Sequence, residues 1–106
     1  MTTFDKREEG FEKKFAHDEE LRFKSIARRN RLFGQWVAEK LGLSGEARDA
    51  YAKEVVAANV EGGETAVARK IAADLAAKGS AISEADIKGK LDEFLAVAIA
   101  QVKAGT

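Results

Sequence analysis

The sequence contains no cysteine, no proline and a single histidine. The absence of cysteine excludes disulfides and thiolate metal sites, and one histidine is too few for a histidine-rich zinc site. The formal net charge is zero, which argues against a general nucleic-acid binder. No signal peptide is evident, and no apolar run approaches the length that spans a bilayer. We therefore expect a cytoplasmic protein that does not insert into the membrane.

Motifs for catalysis and cofactor binding are lacking as well. Gly62-Gly63 is not followed by the lysine and the serine or threonine of a phosphate-binding loop. In the run His17–Glu20 the carboxylates are consecutive, so on a helix they fan out instead of converging on a metal ion. No nucleophile–base pair can be assembled from the remaining residues. We expect neither an enzyme nor a cofactor.

The composition favours helix, because alanine, leucine and the long charged side chains dominate and proline is absent. Apolar periodicity predicts four helices: about Asp18 to Leu41, Ser44 to Gly62-Gly63, Glu64 to Lys78, and Ser83 towards the C-terminus. No segment alternates strictly between apolar and polar residues, so no sheet is expected. Short links between amphipathic helices predict an all-α, four-helix bundle spanning residues 18–106.

Each predicted helix carries an apolar stripe that should form the core. The helices should begin at the N-caps Ser44 and Ser83 and end at Gly42 and Gly79. Phe23 and Trp36 are also expected in the core. The four stripes consist of Ile26, Phe33 and Val37; Ala47, Tyr51, Val55, Val56, Ala58 and Val60; Val67, Ile71 and Leu75; and Ile87, Leu91, Phe94, Leu95, Ala98 and Val102.

Residues 1–17 form a separate N-terminal arm. Phe4, Phe11 and Phe15 are seven and four residues apart, so they share one face of a helix. Three phenylalanines bury too little area to offset the ordering of seventeen residues, and Gly10 weakens the helix further. We expect the arm to be disordered or frayed when free and helical when bound.

A run of one charge sign follows the arm. Leu21–Arg31 contains five bases and no acid, whereas Met1–Glu20 contains seven acids and four bases. On a helix the five bases form a basic sector beside the apolar stripe. It is either a solvated face balanced by pairs such as Glu20–Lys24, or a surface that docks on an acidic protein or on phosphates. The five bases are Arg22, Lys24, Arg28, Arg29 and Arg31.

Two blocks of the sequence resemble a known family. The runs FAHDEELRFKSIARRNRLFGQWVAEKLGLSG (Phe15–Gly45) and DAYAKEVV (Asp49–Val56) are similar to the zeta subunit of alpha-proteobacterial F-type ATP synthases. The start FDKREEGFEKKFAHDEE matches too, and the segment from Val60 to Thr106 matches more loosely. Members of this family are short helical proteins that inhibit ATP hydrolysis by the catalytic head.

The resemblance implies a four-helix bundle with an N-terminal inhibitory arm that enters an alpha/beta catalytic interface near the central stalk. The partners would be the alpha and beta subunits, with gamma as a further contact, and the protein would be peripheral to the inner membrane through the ATP synthase. On this chain the inhibitory segment would run from Met1 to about Glu20. Its apolar anchors would be Phe4, Phe11 and Phe15, and its polar contacts Asp5, Lys6, Arg7, Glu8, Glu9, Glu12, Lys13 and Lys14.

Other functions stay open at this point. The chain could be a small helical adaptor that docks through the basic face of its first helix. It could also sense nucleotides by weak binding of ATP or ADP at the same face. Zero net charge and the acidic Met1–Glu20 segment weigh against nucleic acid as the partner.

Overall fold

The computed structural model describes residues 19–105, and all regular structure in this range is helical. Helix α1 spans Glu19–Lys40, α2 spans Gly45–Ala77 and α3 spans Glu84–Ala104. The all-α class is confirmed for this part of the chain, which contains no strand. The predicted arm, residues 1–17, lies outside the described residues, as do Asp18 and Thr106.

Helix α2 is folded back on itself at Gly63. The backbone of Gly63 is non-helical, with φ 70° and ψ −162°, a conformation that glycine adopts without a steric penalty. In a straight helix Tyr51 and Asp74 would be about 35 Å apart. Instead the Tyr51 hydroxyl donates a hydrogen bond of 2.7 Å to the Asp74 carboxylate. The predicted boundary at Gly62-Gly63 thus coincides with a break in helical geometry at Gly63, which divides α2 into two helical segments. The four-helix bundle is not confirmed, because the described residues give three helices.

The predicted helix ends agree with the structure at most positions. Gly42 and Gly79 have left-handed φ angles of 83° and 80° at the second position after α1 and α2, respectively. Ser83 caps α3, because its Oγ accepts a hydrogen bond of 3.1 Å from the Asp86 amide. Ser44 occupies the N-cap position of α2, but its side chain makes no capping hydrogen bond.

Helix α1 is central, because α2 and α3 each pack against it more extensively than against each other. The predicted stripe Val67, Ile71 and Leu75 is completely buried. Three expectations about the core were wrong, since Phe23 and Val60 are 75% and 78% exposed and Ala47 is exposed. The core cluster consists of Phe33, Val37, Ala38, Leu41, Tyr51, Val55, Val67, Ala68, Ile71, Leu75, Ile87 and Leu91.

Trp36, which was expected in the core, is partly buried and packs against the core cluster. Its ring lies 5.8 Å from that of Phe33 and 6.0 Å from that of Phe94, measured between centroids. The Lys40 ammonium lies 4.5 Å from the centre of the indole, at cation–π distance. The contacts of Trp36 and Phe33 with Phe94 join the C-terminal half of α1 to α3.

Gly34 lets α1 and α2 approach closely. A Cβ atom added to Gly34 would lie 2.8 Å from the Cα of Ala52 and 3.3 Å from the Cβ of Val55. A side chain at this position therefore cannot be accommodated unless the α2 backbone moves. The small Ala52 on the facing helix, which is itself buried, serves the same close approach.

A polar network joins the two helical segments of α2. Glu54 lies before the kink, and Lys70 and Asp74 lie after it. The Lys70 ammonium lies 3.0 Å from the Glu54 carboxylate and 3.1 Å from that of Asp74. Burial alone would lower the pKa of Lys70, but its hydrogen bonds with Glu54 and Asp74 outweigh this effect and raise it. Burial, together with the hydrogen bond to Asp74, raises the pKa of Tyr51 far above its ordinary value.

Replacing Gly34 with alanine should destabilise the fold. The overlap with Ala52 should cost about 1–3 kcal/mol, more than the gain of about 1 kcal/mol in helix propensity. The matched control is Gly89→Ala, also inside a helix, where an added Cβ meets nothing within 4 Å. Denaturant unfolding should give a lower free energy of unfolding for Gly34→Ala and an equal or higher one for Gly89→Ala. Equal effects would show that the helices do not meet at Gly34.

Alkaline pH should unfold the protein partly through Tyr51. The folded-state pKa is raised, so the stabilisation is complete below the unfolded pKa near 10 and is lost as the pH rises above it. Tyr51 is the sole tyrosine, so the absorbance of tyrosinate reports it directly. Tyrosinate should form together with the loss of helical circular dichroism, and Tyr51→Phe should remove part of the alkaline destabilisation. Tyrosinate formation near pH 10 in a fully helical protein would contradict this account.

Candidate partner-binding surface on the first helix

The five bases of the predicted basic sector do not lie on one exposed face. Arg22, Lys24 and Arg31 are exposed and Arg28 is half-buried, but Arg29 is only 4% exposed. The expectation that all five bases share a docking surface is therefore wrong for Arg29. The other four remain available for contact with a partner.

Arg29 is buried because it lies on the core side of α1. The buried positions Ser25, Arg29, Phe33 and Val37 follow one another at four-residue steps, which places them on a single face. The inner face of α1 is thus apolar in its C-terminal half and polar in its N-terminal half. The spacing from Arg29 to Phe33 and Val37 was the signal in the sequence that could have revealed this.

Polar groups of α1 and of the kink of α2 surround the buried guanidinium. Arg29 Nη2 donates to the Asn59 side chain at 3.3 Å and to the Asn30 side chain at 3.0 Å. Its Nη1 lies 3.6 Å from the Glu64 carboxylate. Burial lowers the pKa of Arg29, opposed by the charges of Glu64 and Asp92. The cluster ties α1 to both sides of Gly63 and has a structural role.

The exposed cations differ in the contacts they already make. Lys24 pairs with Glu20 at 2.8 Å, which confirms the predicted intrahelical pair. Arg28 donates a hydrogen bond of 3.3 Å to the Gln101 side chain of α3. Within residues 19–105 Arg31 forms no ion pair with a carboxylate. Over the same residues the exposed Arg22 forms none either, so Arg22 and Arg31 are the bases of the run most available to a partner.

Lys24, Arg28 and Arg31 line an open groove. A depression of about 510 Å³ lies between the N-terminal half of α1, α2 and the C-terminal end of α3. The exposed Phe23 stands at its edge, and apolar side chains of all three helices form its floor. The sequence analysis did not predict that residues of α2 and α3 line this surface. The lining residues are Phe23, Lys24, Ala27, Arg28, Arg31, Val56, Val102 and Gly105.

Some expectations about the site fall outside the described residues. All eleven predicted contact residues of the arm belong to this group, so their role stays a prediction. Over residues 19–105 no three acidic or histidine side chains converge as metal ligands would. No helix in the same range is long and apolar enough to cross a membrane. The eleven predicted contact residues of the arm are Phe4, Asp5, Lys6, Arg7, Glu8, Glu9, Phe11, Glu12, Lys13, Lys14 and Phe15.

Comparison with known families identifies the chain. The family model for ATPase inhibitor subunit zeta matches residues 1–101, and so covers both the arm and the helical body. The chain belongs to the ATPase inhibitor subunit zeta family. The resemblance noted from the residues is therefore confirmed, and membership of an inhibitor family fits a protein that is not an enzyme. None of the curated proteins matches the sequence.

Within the zeta chain, Arg29 and Arg31 should respond differently to truncation. Arg29→Ala removes several hydrogen bonds of a buried charged group and should lower the free energy of unfolding by about 2 kcal/mol. Arg31→Ala, two residues further along the same helix, should change it by less than about 0.5 kcal/mol. Chemical denaturation of both variants measures the difference. Equal stabilities would show that the Arg29 cluster is not structural.

Proposed function

We propose that this protein inhibits ATP hydrolysis by the catalytic head of an F-type ATP synthase. The observation that carries the proposal is the match to the inhibitor family over residues 1–101. The match includes the arm with its three phenylalanines as well as the body. The protein would act in the cytoplasm, at the inner membrane only through the ATP synthase, as in the alpha-proteobacterial members that it resembles.

In this proposal residues 1–17 enter an interface between an alpha and a beta subunit, with gamma as a further contact. Phe4, Phe11 and Phe15 would supply the buried apolar area, and the mixed charges between them would fix register and orientation. Hydrolysis requires the catalytic interface to close around the nucleotide. A segment wedged into that interface would block closure without any chemistry of its own.

The body would remain outside the interface and hold the arm in place. Helix α1 begins at Glu19, directly after the arm, so its N-terminal half stays close to whatever binds the arm. Arg22, Lys24 and Arg31 are exposed there, and long-range attraction to an acidic surface raises the rate of encounter. If the arm orders only on binding, part of the interaction energy is spent on ordering, which favours reversible inhibition.

Removing residues 1–17 should abolish inhibition. The full chain should give saturable inhibition of ATP hydrolysis by a purified alpha-proteobacterial head, and the truncated chain should give none. A full-length variant with Phe4, Phe11 and Phe15 replaced by alanine is the matched control for arm length and charge, and its inhibition should also be much weaker.

Circular dichroism must show that the truncated body keeps its helices, so that a loss of inhibition is not a loss of fold. Undiminished inhibition by the truncated chain would assign the activity to the body and contradict the arm mechanism. Inhibition by neither form would contradict the proposed function.

A further inference from the structure

The basic groove beside Phe23 extends beyond the 510 Å³ depression described above. A second depression of about 480 Å³ lies between α1 and α2 and shares Arg31 and Val56 with the first. Together they follow α1 from Phe23 to Gln35, a length of about 18 Å at the helical rise per residue. This equals more than three turns of helix, so the groove has the dimensions of a site for a peptide segment and exceeds those of a small anion.

Part of the lining of the groove is apolar. Ala27, Val56 and Val102, which come from three different helices, all line the first depression. Phe23 stands beside them with 75% of its surface exposed. A single exposed phenylalanine is common on protein surfaces, but one at the rim of an apolar depression can enclose an inserted side chain.

The charges around the groove have mostly one sign. Lys24, Arg28, Arg31 and Lys53 line its two parts, and the acid among the lining residues is Asp49. Asp49 shares the guanidinium of Arg48 with Glu39, and Lys24 pairs with Glu20. Arg28, Arg31 and Lys53 form no ion pair within residues 19–105, so the positive charge of the lining exceeds the negative. The groove is therefore complementary to a segment that carries carboxylates around an apolar side chain.

The position of the groove limits what can reach it. Phe23 is four residues after Glu19, so it lies about 6 Å along the helix from the first described residue and six positions after the arm in the sequence. A partner that holds residues 1–17 thus brings its own surface to the mouth of the groove. This argument rests on the proposed function of the arm.

We propose that the groove from Phe23 to Gln35 binds an acidic segment of the ATP synthase head, with an apolar side chain of that segment inserted beside Phe23. The body then supplies affinity in addition to that of the arm. Binding at the two places is linked through α1, so each raises the effective concentration of the other.

Substitutions at the groove rim test the proposal in the full-length chain. Phe23→Ala and Arg31→Glu should each raise the concentration for half-inhibition of ATP hydrolysis about tenfold, with complete inhibition still reached. The matched controls are Val60→Ala and Arg69→Glu, which change an exposed apolar residue and an exposed base away from the groove. Both controls should inhibit as the unaltered chain does. All four changed positions are exposed, so thermal unfolding should be unaffected.

The same measurements distinguish a failure of the groove proposal from a failure of the proposed inhibitory function. If the unaltered chain inhibits and both groove variants inhibit equally well, the groove proposal is overturned while the arm mechanism stands. If the unaltered chain does not inhibit, binding to the immobilised head is measured instead. Binding that Phe23→Ala and Arg31→Glu weaken supports the groove without the inhibitory function, and absence of binding overturns both.

A photoreactive phenylalanine analogue at position 23 identifies the occupant of the groove. After irradiation with the purified head, the crosslinked peptide should come from an alpha, beta or gamma subunit and be rich in aspartate or glutamate. Crosslinks confined to residues 1–17 of the same chain, or to a second copy, would overturn the proposal. So would amide chemical shift changes along the groove on adding ADP alone, which would assign it to nucleotide.

Discussion

The close approach of α1 and α2 at Gly34 governs the arrangement of the rest of the molecule. With the Ala52 backbone 2.8 Å from where a Cβ would stand, the two helices meet without intervening side chains. This places the kink of α2 within reach of Arg29, one and a half turns earlier on α1, where Asn59 and Glu64 bind its guanidinium. The same closeness leaves Val56 and Arg31 at the opposite edge of the contact, where they line the groove.

Helix α1 therefore carries the buried Arg29 cluster on one side and the exposed bases of the proposed groove on another. Arg29 and Arg31 are two residues apart, so they point in nearly opposite directions around the axis. One is enclosed by polar groups of α2, and the other forms no ion pair within the described range. A buried guanidinium is costly unless it is fully satisfied, so the Arg29 cluster fixes one arrangement of the kink relative to α1.

The sequence predicted local features well because they depend on neighbouring residues. The stripe Val67, Ile71 and Leu75 is buried as its four-residue spacing indicates, and Ser83 caps α3. Phe23 was misplaced because an apolar side chain alone does not reveal whether another helix covers it. The break at Gly62-Gly63 was predicted, but two glycines do not indicate the angle between the helical segments on either side.

The candidate site could be predicted only in part, because its shape depends on how the helices pack together. Four of the five bases of the charged run are accessible, but the groove exists only because Val56 of α2 and Val102 of α3 are brought beside α1. Such a surface depends on tertiary contacts between residues that are 25 or more positions apart in the sequence. In the proposal, the charge of one sign near the arm selects an acidic partner. The shape of the groove adds where the apolar contact with that partner would lie, so that the N-terminal half of α1 would extend the contact proposed for the arm.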